Sequence, residues 1–130
     1  MMTDTIGDML TRIRNAIMAR HDVVEIPHSI LKEKIIYVLK KEGFIKDFLT
    51  EGGKKKILRV YLKYLPDGEC AIHGLRREST PGLRKYISYD ELRKRGRKIN
   101  LLILTTSAGV MSENEAKKLR VGGEILCSVW

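Results

Sequence analysis

No apolar run in these 130 residues approaches the ~18 needed to cross a bilayer, so no membrane span is expected. The opening MMTDTIGDML has no basic stretch followed by an uninterrupted apolar core, which argues against a secretory signal. Cysteine is scarce. Cys70 and Cys127 both sit among aliphatic residues, the pattern of small core side chains in a reducing compartment rather than of a disulfide. With three scattered histidines, His21, His28 and His73, they offer no paired spacing for zinc, so neither metal nor cofactor is expected. There is no Gly-x-Ser-x-Gly elbow and no phosphate loop closing on Gly-Lys-Ser/Thr. Internal repeats and low-complexity tracts are also missing. These absences point to a cytoplasmic protein with no membrane partner.

What the chain does carry is positive charge. Its formal net charge is +9 with a pI near 9.7, and a charge excess of that size attracts polyanions at long range. The apolar fraction of 43% is enough for a globular core. The charge is also clustered. Between residues 76 and 98, nine cations stand against Glu78, Asp90 and Glu91, so six of the nine net charges fall in one segment. Tyr86 and Tyr89 lie inside it, and a ring beside cations suits stacking on a base or packing on a ribose. Clustering of this kind favours a nucleic-acid face over a plain solvated loop. A smaller run, Lys54 to Lys56, reads as a hairpin-tip or solubility feature.

Periodicity divides the chain into two halves. Residues 4–20 place Ile6, Met9, Leu10, Ile13 and Ile17 on one helical face, capped by Thr3 or Asp4. A short strand over 23–27 stops at Pro27, and Ser29 caps a second helix that Gly43 ends. FIKDFL and ILRVYLKY flank Gly52 and Gly53 as a hairpin, with Leu58, Val60 and Leu62 on its covered face. The turn-forming LPDGE marks the boundary, giving domains of residues 1–66 and 67–130. The second half reads as strands over about 70–77, 84–88 and 99–104, an undecided polar stretch over 89–98, and a helix from the Ser112–Glu115 capping box. Gly122 and Gly123 should end that helix before the last strand, EILCSVW. The fold class is α+β: an N-terminal α-β-α-β-β unit, then a mainly antiparallel β unit with one short helix.

The candidate site is the passage from NLLIL into TTSAG, where a buried strand ends in Thr105, Thr106 and Ser107 before Ala108 and Gly109. A serine or threonine nucleophile needs a neighbouring base, and no histidine or carboxylate spacing supplies one. Hydroxyls both donate and accept, so they suit phosphate oxygens and ribose 2′-OH groups, and the small residues leave the backbone open to close approach. A simple turn built of small residues is the remaining reading.

The stretch LLILTTSAGVMSENEAKKLRVGGEILCSVW closely resembles the C-terminal signature of the bacterial family of small-subunit ribosomal protein number eight. Thr106, Ser107, Gly109, Val110, Met111, Ala116, Lys117, Gly122, Gly123 and Glu124 carry the likeness. DTIGDMLTRIRNA, EGFI, LRVYLKY and STPGLRKY extend it over essentially the whole chain. The resemblance implies no enzyme but a structural constituent of the small subunit, bound to the central domain of its ribosomal RNA early in assembly. It further implies neighbouring small-subunit proteins as partners and, in many members, repression of the protein's own operon through a similar messenger hairpin. Carried onto this sequence, it makes Arg84, Lys85, Tyr86, Thr106, Ser107, Ala108, Gly109 and Glu124 the RNA-binding candidates. One departure is RGRKINLLIL, which keeps Gly96 but has Arg97, Lys98 and Asn100 where the family has small or apolar residues. The competing reading is an RNA-binding repressor or assembly factor that acts off the ribosome.

Overall fold

The computed structural model describes residues 4–96 and 100–130. The chain folds as two compact units, one of residues 8–73 and one of residues 1–7 with 74–130. The division falls within the first helix, α1 (Thr5–Met18), and again between His73 and Gly74. Asp4 caps α1 by accepting the Gly7 N–H at 3.0 Å; Thr3, the other candidate, lies outside the described residues.

In the unit of residues 8–73, β1 (Val23–Pro27), α2 (Ile30–Lys41), β2 (Ile45–Glu51) and β3 (Ile57–Leu62) follow the rest of α1. The antiparallel sheet runs β1-β3-β2. Ser29 caps α2 through the Lys32 N–H at 3.1 Å, and β-region backbone at Ser29 makes the entry. Gly43, at φ +83, lets the chain leave the helix. Met9, Leu10, Ile13, Ile26, Ile35, Ile36, Leu39 and Leu58 are fully buried, each contributing about 1.5–3 kcal/mol through burial. The alternation expected of β3 is present, with Leu58, Val60 and Leu62 buried between partly exposed Arg59 and Tyr61.

The second unit contains β4 (Leu75–Arg77), β5 (Tyr86–Ile87), α3 (Tyr89–Arg95), β6 (Leu101–Thr106), β7 (Gly109–Ser112), α4 (Glu113–Leu119) and β8 (Gly123–Val129). Its antiparallel sheet runs β4-β8-β6-β7, with β5 also paired to β8. Leu92, Leu102, Leu104, Met111 and Ala116 form a core cluster to which Ile87, Val121 and Ile125 add.

Four elements differ from the sequence reading. The strand over 70–77 is reduced to β4, because the chain changes partners on the way. Cys70 bridges Tyr64 and the Ala71 N–H bonds Lys63, whereas Gly74 already exchanges bonds with Trp130. The undecided polar stretch holds a helix, so this unit has two short helices rather than one. Ser88 and Glu91 close a full capping box, each side chain accepting the other's backbone N–H at 3.1 Å. The hydroxyl loop is not a strand-to-helix connection but a hairpin, since β7 turns back on β6 before α4 begins. Finally, α4 ends on Arg120 in the left-handed region (φ 58), not on the two glycines. The expected strand start at Ile99 lies outside the described residues.

Candidate nucleic-acid interface

The hairpin is organised by one hydroxyl. Thr106 Oγ1 accepts the Ala108 N–H at 3.0 Å and donates to the Gly109 carbonyl at 2.9 Å. This local turn satisfies groups that would otherwise be left unpaired as the chain reverses. Gly109 completes the reversal at φ +118, where an L-residue is strained. Ser107 and Ala108 form the exposed apex.

Strand register determines which candidates meet. Tyr86 lies opposite Glu124, Glu124 opposite Thr105, and Thr105 opposite Val110. Directly opposed residues in antiparallel strands share a face, so these four side chains form a row across β5, β8, β6 and β7. The next row, Ile87–Gly123–Thr106–Gly109, faces the other way, on the side where Ile87 packs on the core cluster. Thr106 is therefore committed to the turn and the core side. Thr105, not among the candidates carried over, is the hydroxyl that stands with Tyr86 and Glu124. Extending the strand through Thr106 would have located it, because period-two alternation places Thr105 opposite Leu102, Leu104 and Thr106.

The two glycines before Glu124 make this row possible. A Cβ at Gly123 would lie 2.2 Å from the Thr105 carbonyl oxygen, and one at Gly122 would lie 2.3 Å from the Ile87 oxygen. Backbones on both sides of β8 thus approach to a distance no side chain permits. Ser79, wholly buried, adds a clamp on the incoming strand: its hydroxyl accepts the Lys85 N–H at 2.7 Å and donates to the Lys85 carbonyl at 3.1 Å. Ile125 N–H donates to the same carbonyl at 2.9 Å. Tyr86 follows directly and is 69% exposed.

Charge at the site is less available than composition indicates. Glu124 accepts a hydrogen bond from Arg84 at 3.0 Å, and Lys85 reaches Glu78 at 3.7 Å. Glu78 also pairs with Arg76 at 3.0 Å and accepts from Ser128 at 2.8 Å. Burial alone would raise the Glu78 carboxyl, but the hydrogen bonds from Arg76 and Ser128 hold it below its ordinary value. Arg77 serves Asp4 and the Leu126 carbonyl, while Arg95 serves Glu113 and the Asn100 carbonyl. Arg93 and Lys94 both hold Asp90. Every described cation of the 76–98 segment therefore already faces a carboxylate; of the residues that depart from the family, Arg97 and Lys98 lie outside the described residues, while Asn100 lends its carbonyl to Arg95. The Arg84 and Lys85 side chains are themselves 48% exposed, so each can turn from its carboxylate toward a phosphate at the rim. The mostly buried Arg77 and Arg95 cannot.

The arrangement can recognise more than it can catalyse. An exposed ring, a carboxylate that only accepts, a threonine and a serine at an open apex suit base edges and ribose hydroxyls. The described residues place no histidine with Ser107. The mostly buried Glu124 would repel a phosphate in direct contact, so the phosphates belong at the rim.

Comparison with known proteins bears on the whole chain. The family model described as "Ribosomal protein S8" matches residues 4–130. A Lactobacillus delbrueckii protein named "Small ribosomal subunit protein uS8" is 50% identical over 130 residues, covering 99% of this chain and 98% of its own. A protein of the same name from Chloroflexus aurantiacus is 50% identical over 131 residues, with 99% and 98% coverage. A third, from Sorangium cellulosum, is 49% identical over 131 residues and covers both chains completely.

Proposed function

Since the chain belongs to the ribosomal protein S8 family, we propose that it works as a structural constituent of the small ribosomal subunit, by binding ribosomal RNA. The family is not enzymatic, and its place is the ribosome of the cytoplasm. Relatives named as small-subunit proteins favour a resident subunit over a factor acting off the ribosome.

The observation that carries the RNA reading is the Tyr86–Glu124–Thr105–Val110 row, ending beside the exposed Ser107–Ala108 apex. In this reading residues 67–130 are the RNA-binding domain, residues 1–66 are its companion, and the target is the central domain of small-subunit RNA. The apex enters an irregular RNA helix, whose minor groove displays 2′-hydroxyls and base edges while its major groove is too narrow to read. Ser107 and Thr105 exchange hydrogen bonds with ribose, Tyr86 packs on an unstacked base, and Glu124 accepts from a base amino group. Ala108 and Gly109 allow close approach; Thr106 keeps the hairpin in shape. Arg84 and Lys85 take flanking phosphates. A hairpin of similar shape in the operon messenger would compete for the same face, the basis of autoregulatory repression. Neighbouring small-subunit proteins complete the partners.

Titration of a central-domain transcript tests this. Ser107→Ala should weaken binding by about 1–3 kcal/mol through a lost buried hydrogen bond. Tyr86→Ala should cost a similar ~1–3 kcal/mol of stacking. If neither variant differs from the parent, the site assignment is wrong.

A further inference from the structure

The unit of residues 8–73 carries a groove of about 510 Å³ beneath the tip of the β2–β3 hairpin, lined by Arg12, His28, Lys54, Lys55 and Lys56, by the carboxylate of Glu25, and by Ile26, Pro27 and Ile57. Backbone pairing builds it. Pro27 is in register with Ile57, and the His28 N–H donates to the Lys56 carbonyl at 3.0 Å, holding the three lysines over the end of β1. The floor is apolar: Ile26 is buried, and Ile57 is 39% exposed beside an exposed Pro27.

The carboxylates nearby are already engaged. Arg12 holds Asp8 at 3.0 Å, and Glu25 faces Arg59 at 3.7 Å. Glu33 accepts from the Thr50 hydroxyl at 2.5 Å and lies 3.3 Å from His28 Nε2. Among the described residues no carboxylate lies within ion-pair distance of Lys54, Lys55 or Lys56, although the Lys56 charge reaches Glu33 at longer range. This contrasts with the 76–98 segment, where each described cation is paired. Three adjacent like charges repel one another, and a polyanion relieves that repulsion.

We propose that this groove is a second RNA-backbone site, in which Lys54, Lys55 and Lys56 take successive phosphates and the Pro27–Ile57 floor takes a ribose or base edge. The inference rests on the RNA reading above but uses a separate surface. RNA fits better than an acidic protein segment, because the cations are contiguous and the exposed apolar floor is too small to anchor a helix.

The test uses the full chain, a central-domain transcript of small-subunit RNA and a salt titration. Each phosphate contact contributes about 0.7–0.9 to the slope of log affinity against log salt. The variant K54Q/K55Q/K56Q should therefore show a slope shallower by about two, so that its deficit shrinks roughly a hundredfold between about 50 and 500 mM salt. K54R/K55R/K56R should retain the parent slope. Ser107→Ala should lower affinity with the slope unchanged. An unaltered slope and affinity in the glutamine variant overturns the proposal, including the case where only assembly with another subunit protein is lost. If the glutamine variant responds while Ser107→Ala and Tyr86→Ala do not, the groove stands and the hairpin site falls.

Discussion

Replacing Gly123 by alanine should both destabilise the protein and disperse the proposed RNA face. The added Cβ would sit 2.2 Å from the Thr105 oxygen, 3.0 Å from the Thr105 carbonyl carbon and 3.0 Å from Thr106 Cγ2. A carbon and a carbonyl oxygen in ordinary contact are ~1 Å further apart, and the obstacle is backbone in a paired strand, which cannot rotate aside. Either β6 or β8 must move. Overpacking of this kind costs about 1–3 kcal/mol. Straining the hydrogen bonding around the Thr105–Glu124 pair adds about 1 kcal/mol in total. The sum, about 2–4 kcal/mol, is measurable by urea unfolding at constant m. Because β8 also carries β5, the same displacement separates Tyr86 from Thr105. RNA affinity, measured where the variant is still folded, should fall at least about tenfold, the order expected when a recognition hydrogen bond is lost. Gly109→Ala is the useful control: its Cβ meets open space, so it tests only backbone strain at φ +118. A Gly123→Ala protein with stability within about 0.5 kcal/mol of the parent, the scatter of neutral surface changes, would refute the close-approach argument.

Other outcomes follow from the same geometry. Glu113 is buried and holds Arg95 at 3.0 Å and the Leu102 N–H at 3.0 Å, so Glu113→Ala should cost about 3 kcal/mol in denaturant unfolding by stranding a mostly buried guanidinium. Glu78 has a folded pKa below its ordinary 4.5, so its contribution to stability is complete above that value and is lost as pH falls through the folded pKa. Glu78→Gln should accordingly flatten the acid limb of a stability–pH curve; an unchanged limb would remove Glu78 from that role. Burial pushes the Cys127 thiol up to about 12, so alkylation in the folded state should be negligible and should appear only with unfolding.

Much of this was legible in local sequence. α1, α2 and the β2–β3 hairpin follow from 3.6- and 2-residue periodicities bounded by Ser29, Gly43 and the Gly52–Gly53 turn, because each is specified by neighbours in the chain. The additional helix of the other unit, α3, was marked by Ser88 and Glu91, a capping signal obscured by the polarity of the residues after it. The charge surplus of 76–98 was a correct count but an incomplete account of availability, since pairing joins residues as far apart as Arg84 and Glu124.

The sequence by itself determined that Ser107 and Ala108 sit among small residues after an apolar strand, that Gly122 and Gly123 precede a glutamate, and that Tyr86 lies in a basic stretch. Only tertiary structure decided that these segments meet. β8 pairs with β5 on one edge and β6 on the other, and the missing Cβ atoms of Gly122, just before it, and Gly123, its first residue, admit both backbones. The same pairing sorted the hydroxyls: Thr106 turned inward to hold the hairpin, while Thr105 joined Tyr86 and Glu124. Face and partner are properties of register, and register is set by strands distant in sequence.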